Sequence, residues 1–323
     1  MKEFFITISS DLNGERLDRA VIQALKLSHP ELPELSRGLI RKAIQAGSLY
    51  LNKKRCKISS KTVKTGDRIK IYLILDATTP KSWMTGKNSF PKERLLYEDE
   101  FLLVVNKPAP LPTQPTLDGL RANLFDELKK LLKAKDPEKK NPYLALIHRL
   151  DSETSGVILF SKSEKANKNL THQFAHREVK KEYLAIVVGE IPESGQIEIA
   201  LQRSDSKPMR MLPVKEGGKK SLTLFSRLET WTSQGIPYSL VKLQPQTGRT
   251  HQLRVHLDHL GYPIVGDPLY GKSHPLHQRI APAPRLLLHA ARISFSHPIS
   301  ANKLSFETSL PEDFIHFKST NQT

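Results

Sequence analysis

Leu144-Ala-Leu-Ile-His-Arg-Leu-Asp-Ser-Glu-Thr-Ser-Gly-Val-Ile-Leu-Phe-Ser-Lys162 decides how the rest of the chain is read. An apolar run leads into His148-Arg149-Leu150-Asp151, a polar turn runs from Ser152 to Gly156, and a second apolar run leaves it, Val157 to Phe160. Two strand-like segments that can be buried therefore hold the polar loop at both ends. A carboxylate flanked by Arg and His on such a loop is a common way for a rigid scaffold to present reactive groups. Asp151 is the first candidate for chemistry.

The length of 323 residues predicts two domains, at roughly 150 residues each. Net charge is +17, from 50 Lys and Arg against 33 Asp and Glu, with a pI near 9.8. An excess of that size points to a polyanionic partner, most often nucleic acid, against the plainer reading of a merely basic protein. The single cysteine, Cys56, excludes an internal disulfide framework and a Cys-rich zinc site. It fits a reducing cytoplasm. No apolar run approaches the ~18 residues of a membrane span, so no membrane contact is expected. The N-terminal residues, too short and polar for a signal peptide, read as a first strand.

Residues 1–75 read as a small α+β RNA-binding module. Leu17, Val21, Ala24 and Leu25 have helical spacing. Ser36 suits the N-cap of a second helix that Gly47 stops. On that helix Ile40, Ala43 and Ile44 share one face, and Arg37, Arg41 and Gln45, spaced by four, share another. Short strands are expected at Ser48–Asn52 and Arg68–Leu73, with Thr65-Gly66-Asp67 as the turn before the second. From Ser36 to Lys70 there are eleven Lys or Arg and one acid, Asp67. A solvated face usually mixes its signs. A basic helix carrying Arg37 and Arg41, with a Lys-rich hairpin carrying Lys53 and Lys54, suits phosphate contacts on structured RNA.

Residues 76–92 form a polar linker with no periodicity, in which Trp83 and Phe90 stand out as anchors to a surface or to RNA. From residue 93 to 323 strands dominate with helices interspersed, which predicts an α+β domain built on a mixed or antiparallel sheet. Strands are expected at Phe101–Asn106, Lys181–Val188, Gln196–Leu201, Ser221–Leu228, Tyr238–Leu243, Leu286–Phe295 and Lys303–Phe306. Helices are expected at Leu120–Lys133, at Ser163–Glu178, and after Thr250, whose hydroxyl can cap a helix ended by Gly261. The loop with Arg203, Lys207, Arg210, Lys215, Lys219 and Lys220 offers a second RNA surface.

Metal chemistry finds little support. His251, His256 and His259 lack a Cys or Glu to complete a zinc set, and H-E-x-x-H is absent, so no metal is expected. Ser155 has no G-x-S-x-G elbow, and there is no Walker A or dinucleotide fingerprint. What remains is a lone carboxylate among loop arginines. It either caps a turn and pairs with Arg149, or acts as a nucleophile or base toward a nucleobase. Neighbouring positive charge keeps such a group ionised, which suits covalent carboxylate catalysis.

Two resemblances sharpen this reading. Leu17-Asp18-Arg19, Ser36-Arg37, Ala46-Gly47, Leu49-Tyr50-Leu51-Asn52 and Gly66-Asp67 resemble the small RNA-binding module named after ribosomal protein S-four. Residues 93 to 310 resemble the pseudouridine synthases of the RluA type. The matching motifs are His148-Arg-Leu-Asp-Ser-Glu-Thr-Ser-Gly156, Thr247-Gly-Arg-Thr-His-Gln-Leu-Arg-Val-His256 and Glu98-Asp-Glu-Phe-Leu-Leu-Val-Val-Asn-Lys-Pro108. Lys181-Glu-Tyr183, Gly266-Asp-Pro-Leu-Tyr-Gly271 and Leu288-His-Ala290 fit as well. The stretch Ala109-Pro-Leu-Pro-Thr-Gln-Pro115 departs from the family's usual Gly and His, a difference that bears on target choice.

The resemblance implies isomerisation of uridine in RNA, most readily large-subunit ribosomal RNA, by a monomeric cytoplasmic enzyme without cofactor. It makes Asp151 the essential carboxylate, adding to base or sugar or assisting a glycal route. Arg254 is the first choice for the arginine that pairs with Asp151, and Arg249 the second. Tyr183 would lie against the target base. Arg149, and His148 beside it, would face RNA, a guanidinium filling the gap left when the uridine leaves its stack. The competing readings are the same chemistry on tRNA and a catalytically idle RNA-binding or ribosome-assembly protein. A deaminase is a further one, opposed by the missing zinc ligands.

Overall fold

The computed structural model describes residues 2–30, 32, 35–45, 47–73, 90–115, 122–138, 141–205 and 210–321. Trp83, Lys207, Ala46 and most of the expected linker lie outside them. The chain divides into two compact units, residues 1–90 with 112–131 and residues 91–111 with 132–323.

In the first unit β1 (Lys2–Thr7), β4 (Arg68–Leu73), β2 (Leu49–Leu51) and β3 (Lys54–Cys56) form an antiparallel sheet in that order. Helices α1 (Leu17–Ser28) and α2 (Arg37–Gln45) cover it. Leu17, Val21 and Leu25, one helical turn apart, meet Ile40, Ala43 and Ile44 over Leu49, Ile69 and Ile71. That is the apolar stripe the spacing predicts. Gly47 follows α2 at φ +85, a left-handed position that stops the helix. Asn52 and Lys53, both at positive φ, make the two-residue turn between β2 and β3. Lys53 and Lys54 thus sit exposed at a hairpin tip.

The strands of the second unit are β5 (Leu95–Glu98), β6 (Leu102–Lys107), β7 (Ala145–Leu146), β8 (Ser155–Ser161), β9 (Lys180–Val188), β10 (Ser194–Arg203), β11 (Met211–Val214), β12 (Lys219–Ser233), β13 (Ile236–Pro245), β14 (Leu288–Ser296) and β15 (Lys303–Glu307). They form one 11-stranded sheet in the order β11-β10-β12-β13-β9-β14-β8-β6-β5, with β15 beside β14 and β7 beside β8. Every recorded pair is antiparallel except β8 with β14, so the sheet is mixed and the class α+β. Helices α4 (Glu164–Ala175), α5 (Gln252–His259) and α6 (Glu312–Thr320) belong to this unit. Helix α3 (Leu124–Lys135) buries Leu124, Leu128, Leu131 and Leu132.

Strand β8, directly after the opening loop, is buried at all seven positions. Covered on both faces, it has no reason to alternate polar and apolar residues, which is why it reads as a continuous apolar run. One face of β9 and β13 gives Ala185, Val187, Val241 and Leu243 to a cluster with Leu253 and Leu257 of α5. The opposite face gives Ile186, Val188 and Tyr238 to Phe314 and Phe317 of α6. At Gly156, φ is +114 and an added Cβ would lie 2.2 Å from the Ala290 carbonyl oxygen. Glycine lets β8 approach β14 closely just after the loop.

Three details differ from the sequence reading. Helix α5 is capped by His251 in the left-handed region at φ 54, not by Thr250. The preceding turn is closed by the Gln252 side chain, which accepts from Thr247 Oγ1 at 2.7 Å and the Arg249 N–H at 3.0 Å. Strands β5 and β11, four residues each, are too short to show periodicity. Helix α6 was not anticipated; it buries only Phe314 and Phe317, too sparse a stripe to declare a helix.

Candidate active site

The loop between β7 and β8 brings Asp151 to the wall of a cavity of about 870 Å³, lined also by Arg149, Tyr183, Lys181, His251 and Arg254. Two buried cations brace the loop. Lys107, at the end of β6 and fully buried, donates to the carbonyls of Pro108 (3.1 Å), Leu111 (2.7 Å) and Ser152 (3.1 Å). Burial pulls its ammonium down to about 7, against the charges of Asp151 and Glu153. Three carbonyl acceptors match its three N–H donors. Arg285 donates to the Glu153 carbonyl at 3.1 Å and Ser155 Oγ at 3.1 Å while gripping Asp313 of α6 at 2.5 and 2.9 Å. Asp151 therefore stands on a loop held immediately downstream at the carbonyls of Ser152 and Glu153 and at the Ser155 hydroxyl.

Helix α5 supplies the charge that faces it. Arg254 Nη1 donates to Asp151 Oδ2 at 3.2 Å. The remainder of the guanidinium is engaged by Asp267, which accepts from Nε and Nη2 at 2.7 Å each. Asp267 Oδ1 also accepts the backbone N–H groups of Leu269 (2.9 Å) and Tyr270 (3.0 Å). The side chains of Asp267 and Arg254 are 1% and 5% exposed, that of Asp151 20%. The bidentate pair is thus the buried end and Asp151 the open end of one chain of charges. Burial disfavours the Arg254 charge, but the hydrogen-bonded Asp267 and then Asp151 outweigh it and raise the guanidinium above its ordinary value.

His251 Nε2 lies 3.8 Å from Asp151 Oδ2, too far for a direct hydrogen bond. Its Nδ1 is 3.0 Å from the Tyr270 hydroxyl, which already accepts from the Met211 N–H at 2.9 Å. Burial lowers the pKa of His251 despite Asp151 nearby, which favours the neutral ring. Tyr183 comes from β9, whose neighbour β14 pairs it with Ala290. Burial, and then the charge of Asp151, push its phenol up, so it remains protonated.

The structure thus brings Asp151, Tyr183 and Arg254 to one cavity. Arg249, the second choice as partner of Asp151, lines the same cavity but its Nε donates to the Lys220 carbonyl at 3.2 Å, and it is Arg254 that bonds Asp151. Arg149 is exposed at the cavity wall. His148 departs from its expected outward role. Its Nε2 accepts the Leu159 N–H at 3.1 Å, its ring stacks on Phe174 at 5.0 Å, and burial lowers it to about 3. A neutral ring used internally offers no cation to phosphate.

In the first unit Arg37 and Arg41 reach a shared carboxylate. Asp18 is fully buried and holds Arg16 Nε at 3.2 Å, Arg37 Nε at 3.3 Å and Arg41 Nε at 3.8 Å. The three arginine side chains remain 40%, 43% and 51% exposed. Burial works against the Asp18 charge, but hydrogen bonds from Arg16 and Arg37 prevail and lower its pKa.

Sequence reasoning missed Asp267, Lys107 and His251 as parts of the site. Asp267 had a signal: an acid between Gly266 and Gly271, both at positive φ. Lys107 had a fainter one, a lysine closing an apolar strand.

The comparisons agree with this geometry. Residues 101–259 match the RNA pseudouridylate synthase family, and residues 31–69 match the S4 domain. A ribosomal large subunit pseudouridine synthase D of Neisseria meningitidis is 33% identical over 97% of this chain and 80% of its own. A ribosomal large subunit pseudouridine synthase C of Haemophilus influenzae is 34% identical over 94% and 91%. Among solved structures, human RNA pseudouridylate synthase domain containing 4 aligns with a TM-score of 0.55 at 27% identity, over 70% of this chain and 92% of that one. With an S4 domain before it and the same fold around Asp151, the chain belongs to the RNA pseudouridylate synthase family.

Proposed function

We propose that this RNA pseudouridine synthase modifies uridines of large-subunit ribosomal RNA, with Asp151 as its essential carboxylate. The observation that carries the site assignment is the Asp267–Arg254–Asp151 chain. Arg254 is fixed by Asp267 and gives one N–H to Asp151, which orients the carboxylate. A partly exposed carboxylate held in this way at a cavity can add to the base or the sugar of a uridine that has left its stack. Tyr183 stands on β9, one strand beyond β14 from β8, as a neutral phenol that can pack on the base and relay the C5 proton. Arg149 occupies the rim, where a planar cation can meet RNA.

The ribosomal target rests on relatives named for the large subunit and on the S4 match. Residues 1–75 are read as the RNA-binding domain, 76–92 as the linker and 93–323 as the catalytic domain of a cytoplasmic monomer. No helix among the described residues is long and apolar enough to cross a membrane. Arg37, Arg41, Lys53 and Lys54 are the RNA contacts assigned to the first domain. Arg37 and Arg41 share the buried Asp18 with Arg16 and remain 43% and 51% exposed, and Lys53 and Lys54 are exposed at the hairpin tip.

Mapping pseudouridines in total RNA with and without the gene tests the target. Loss of specific sites in large-subunit rRNA is expected; loss confined to tRNA would contradict the ribosomal reading. Removal of residues 1–75 is expected to weaken or redirect rRNA selection and leave the catalytic domain folded. Unchanged affinity and an unchanged site pattern would refute the role of the first domain.

A further inference from the structure

Lys181 is a charge in the cavity that the proposed chemistry does not use. It lies on β9 two residues before Tyr183, so both side chains project from the same face of the strand, about 7 Å apart along it. It lines the same cavity as Asp151. Its Nζ sits 5.7 Å from the centre of the Phe174 ring, and an added Cβ on Gly248 would be 3.9 Å from it. No carboxylate pairs with it among the described residues. The neighbouring Glu182 accepts instead from Gln244 Nε2 at 3.0 Å. Asp151 is held by Arg254, and burial lowers the nearby His148 to about 3, so its ring is neutral. Burial lowers the pKa of Lys181, with no anion to oppose it.

A lysine in such a place is poorly solvated and lacks a counter-charge, which disfavours the unliganded state. The aromatic face of Phe174 compensates in part. A ligand bringing one negative charge to that point would complete the site. A uridine in RNA has no formal charge on its base or ribose; its charge is on the phosphodiesters either side. The separation of Lys181 from Tyr183 is about one nucleotide's reach from base to phosphate.

We propose that Lys181 is the anion-binding group of this cavity and holds a phosphate flanking the uridine presented to Asp151. This rests on the assignment of the cavity as the uridine site. Lys181 acts as a positioning residue. It fixes the backbone of the extruded nucleotide while Tyr183 meets the base.

The test is a charge-removal cycle with full-length protein and an rRNA fragment that the wild type modifies. Each phosphate flanking the target uridine is replaced in turn by a neutral methylphosphonate, with the ribose of that linkage 2′-O-methylated in both test and control RNA. Wild type, Lys181→Met and Lys181→Arg are compared by kcat/KM for pseudouridine formation and by RNA affinity. On unmodified RNA, Lys181→Met is expected to lose about tenfold or more in kcat/KM, and Lys181→Arg to recover most of it. One of the two methylphosphonates should cost the wild type a similar factor and cost Lys181→Met nothing further. If both replacements penalise wild type and Lys181→Met equally, the proposal is wrong. Failure of the wild type to modify any uridine fragment would instead defeat the function on which it rests, so the two failures are separable. Equal thermal stability of the Met and Arg variants guards against a merely structural effect of losing the Phe174 contact.

Discussion

The two units of this chain each bury an aspartate among arginines, in opposite proportions. In the first, one fully buried carboxylate, Asp18, holds three half-exposed arginines, Arg16, Arg37 and Arg41. In the second, one buried arginine, Arg254, lies between two carboxylates, Asp267 and Asp151. The surplus defines the product. Around Asp18 a net positive surface is left facing outward, aimed by a hidden anion, which suits phosphate. Around Arg254 the surplus is a carboxylate, and the one that remains open is Asp151. The same ion pair serves the cations in one place and the anion in the other.

The largest expected break in this comparison is at Arg254. Arg254→Met strips the positive centre from between two acids and leaves Asp267 buried without its partner. A loss of about 3–5 kcal/mol of stability is expected for breaking a buried pair in this way. Activity should fall at least about a thousandfold, since the fork that orients Asp151 is gone. Urea unfolding and single-turnover pseudouridine assays would measure both. A fully active Arg254→Met would mean that Asp151 needs no arginine.

A smaller effect is expected from Asp18→Asn. The buried amide no longer balances three guanidinium groups, so RNA affinity should fall about tenfold while the rate at saturating RNA is unchanged. A change in saturating rate with affinity intact would undo the division of labour between the units. Arg37→Gln with Arg41→Gln should weaken RNA binding and flatten its dependence on log salt by about 1.5, at ~0.7–0.9 per lost phosphate contact. An unaltered slope would take those arginines off the RNA.

The least effect per residue concerns pH, and it is confined to the catalytic unit. His256 and His289 are buried, and burial lowers each to about 4. Unfolded histidine takes up a proton near 6.5. Between pH 6.5 and 4 the unfolded chain therefore binds more protons than the folded one, so stability falls as pH falls through that window. The expectation is a urea midpoint that declines from pH 6.5 to 4, with a shallower decline in a His256→Gln, His289→Gln variant. Equal slopes would place those rings in solvent.

The pattern of what sequence revealed follows the same physics. Asp151 stood out as a carboxylate on a loop between two apolar runs, whereas Tyr183 and Arg254 were singled out only by the resemblance of their motifs to the family's; all three line one cavity. The helices α1 and α2 were legible from their spacing. Asp267 was passed over because Gly266 and Gly271 mark its turn but not its pairing, and the partner lies 13 residues away. Lys107 and Lys181 look like ordinary strand-end lysines, and only burial distinguishes them from solvated ones. His148 misled for the converse reason. Beside Arg149 and Asp151 it reads as part of a charged triplet, whereas its ring nitrogen belongs to the backbone of β8. Thr250 misled as a cap because Gln252 closes the turn first.

The most direct test is Asp151→Asn, an isosteric change that removes one charge and keeps a hydrogen-bond acceptor for Arg254. Single-turnover pseudouridine formation should drop below detection, at least about ten-thousandfold, while affinity for the same rRNA and the thermal midpoint stay near wild type. Turnover at the wild-type rate by Asp151→Asn would show that the carboxylate around which this site is built does not perform the isomerisation.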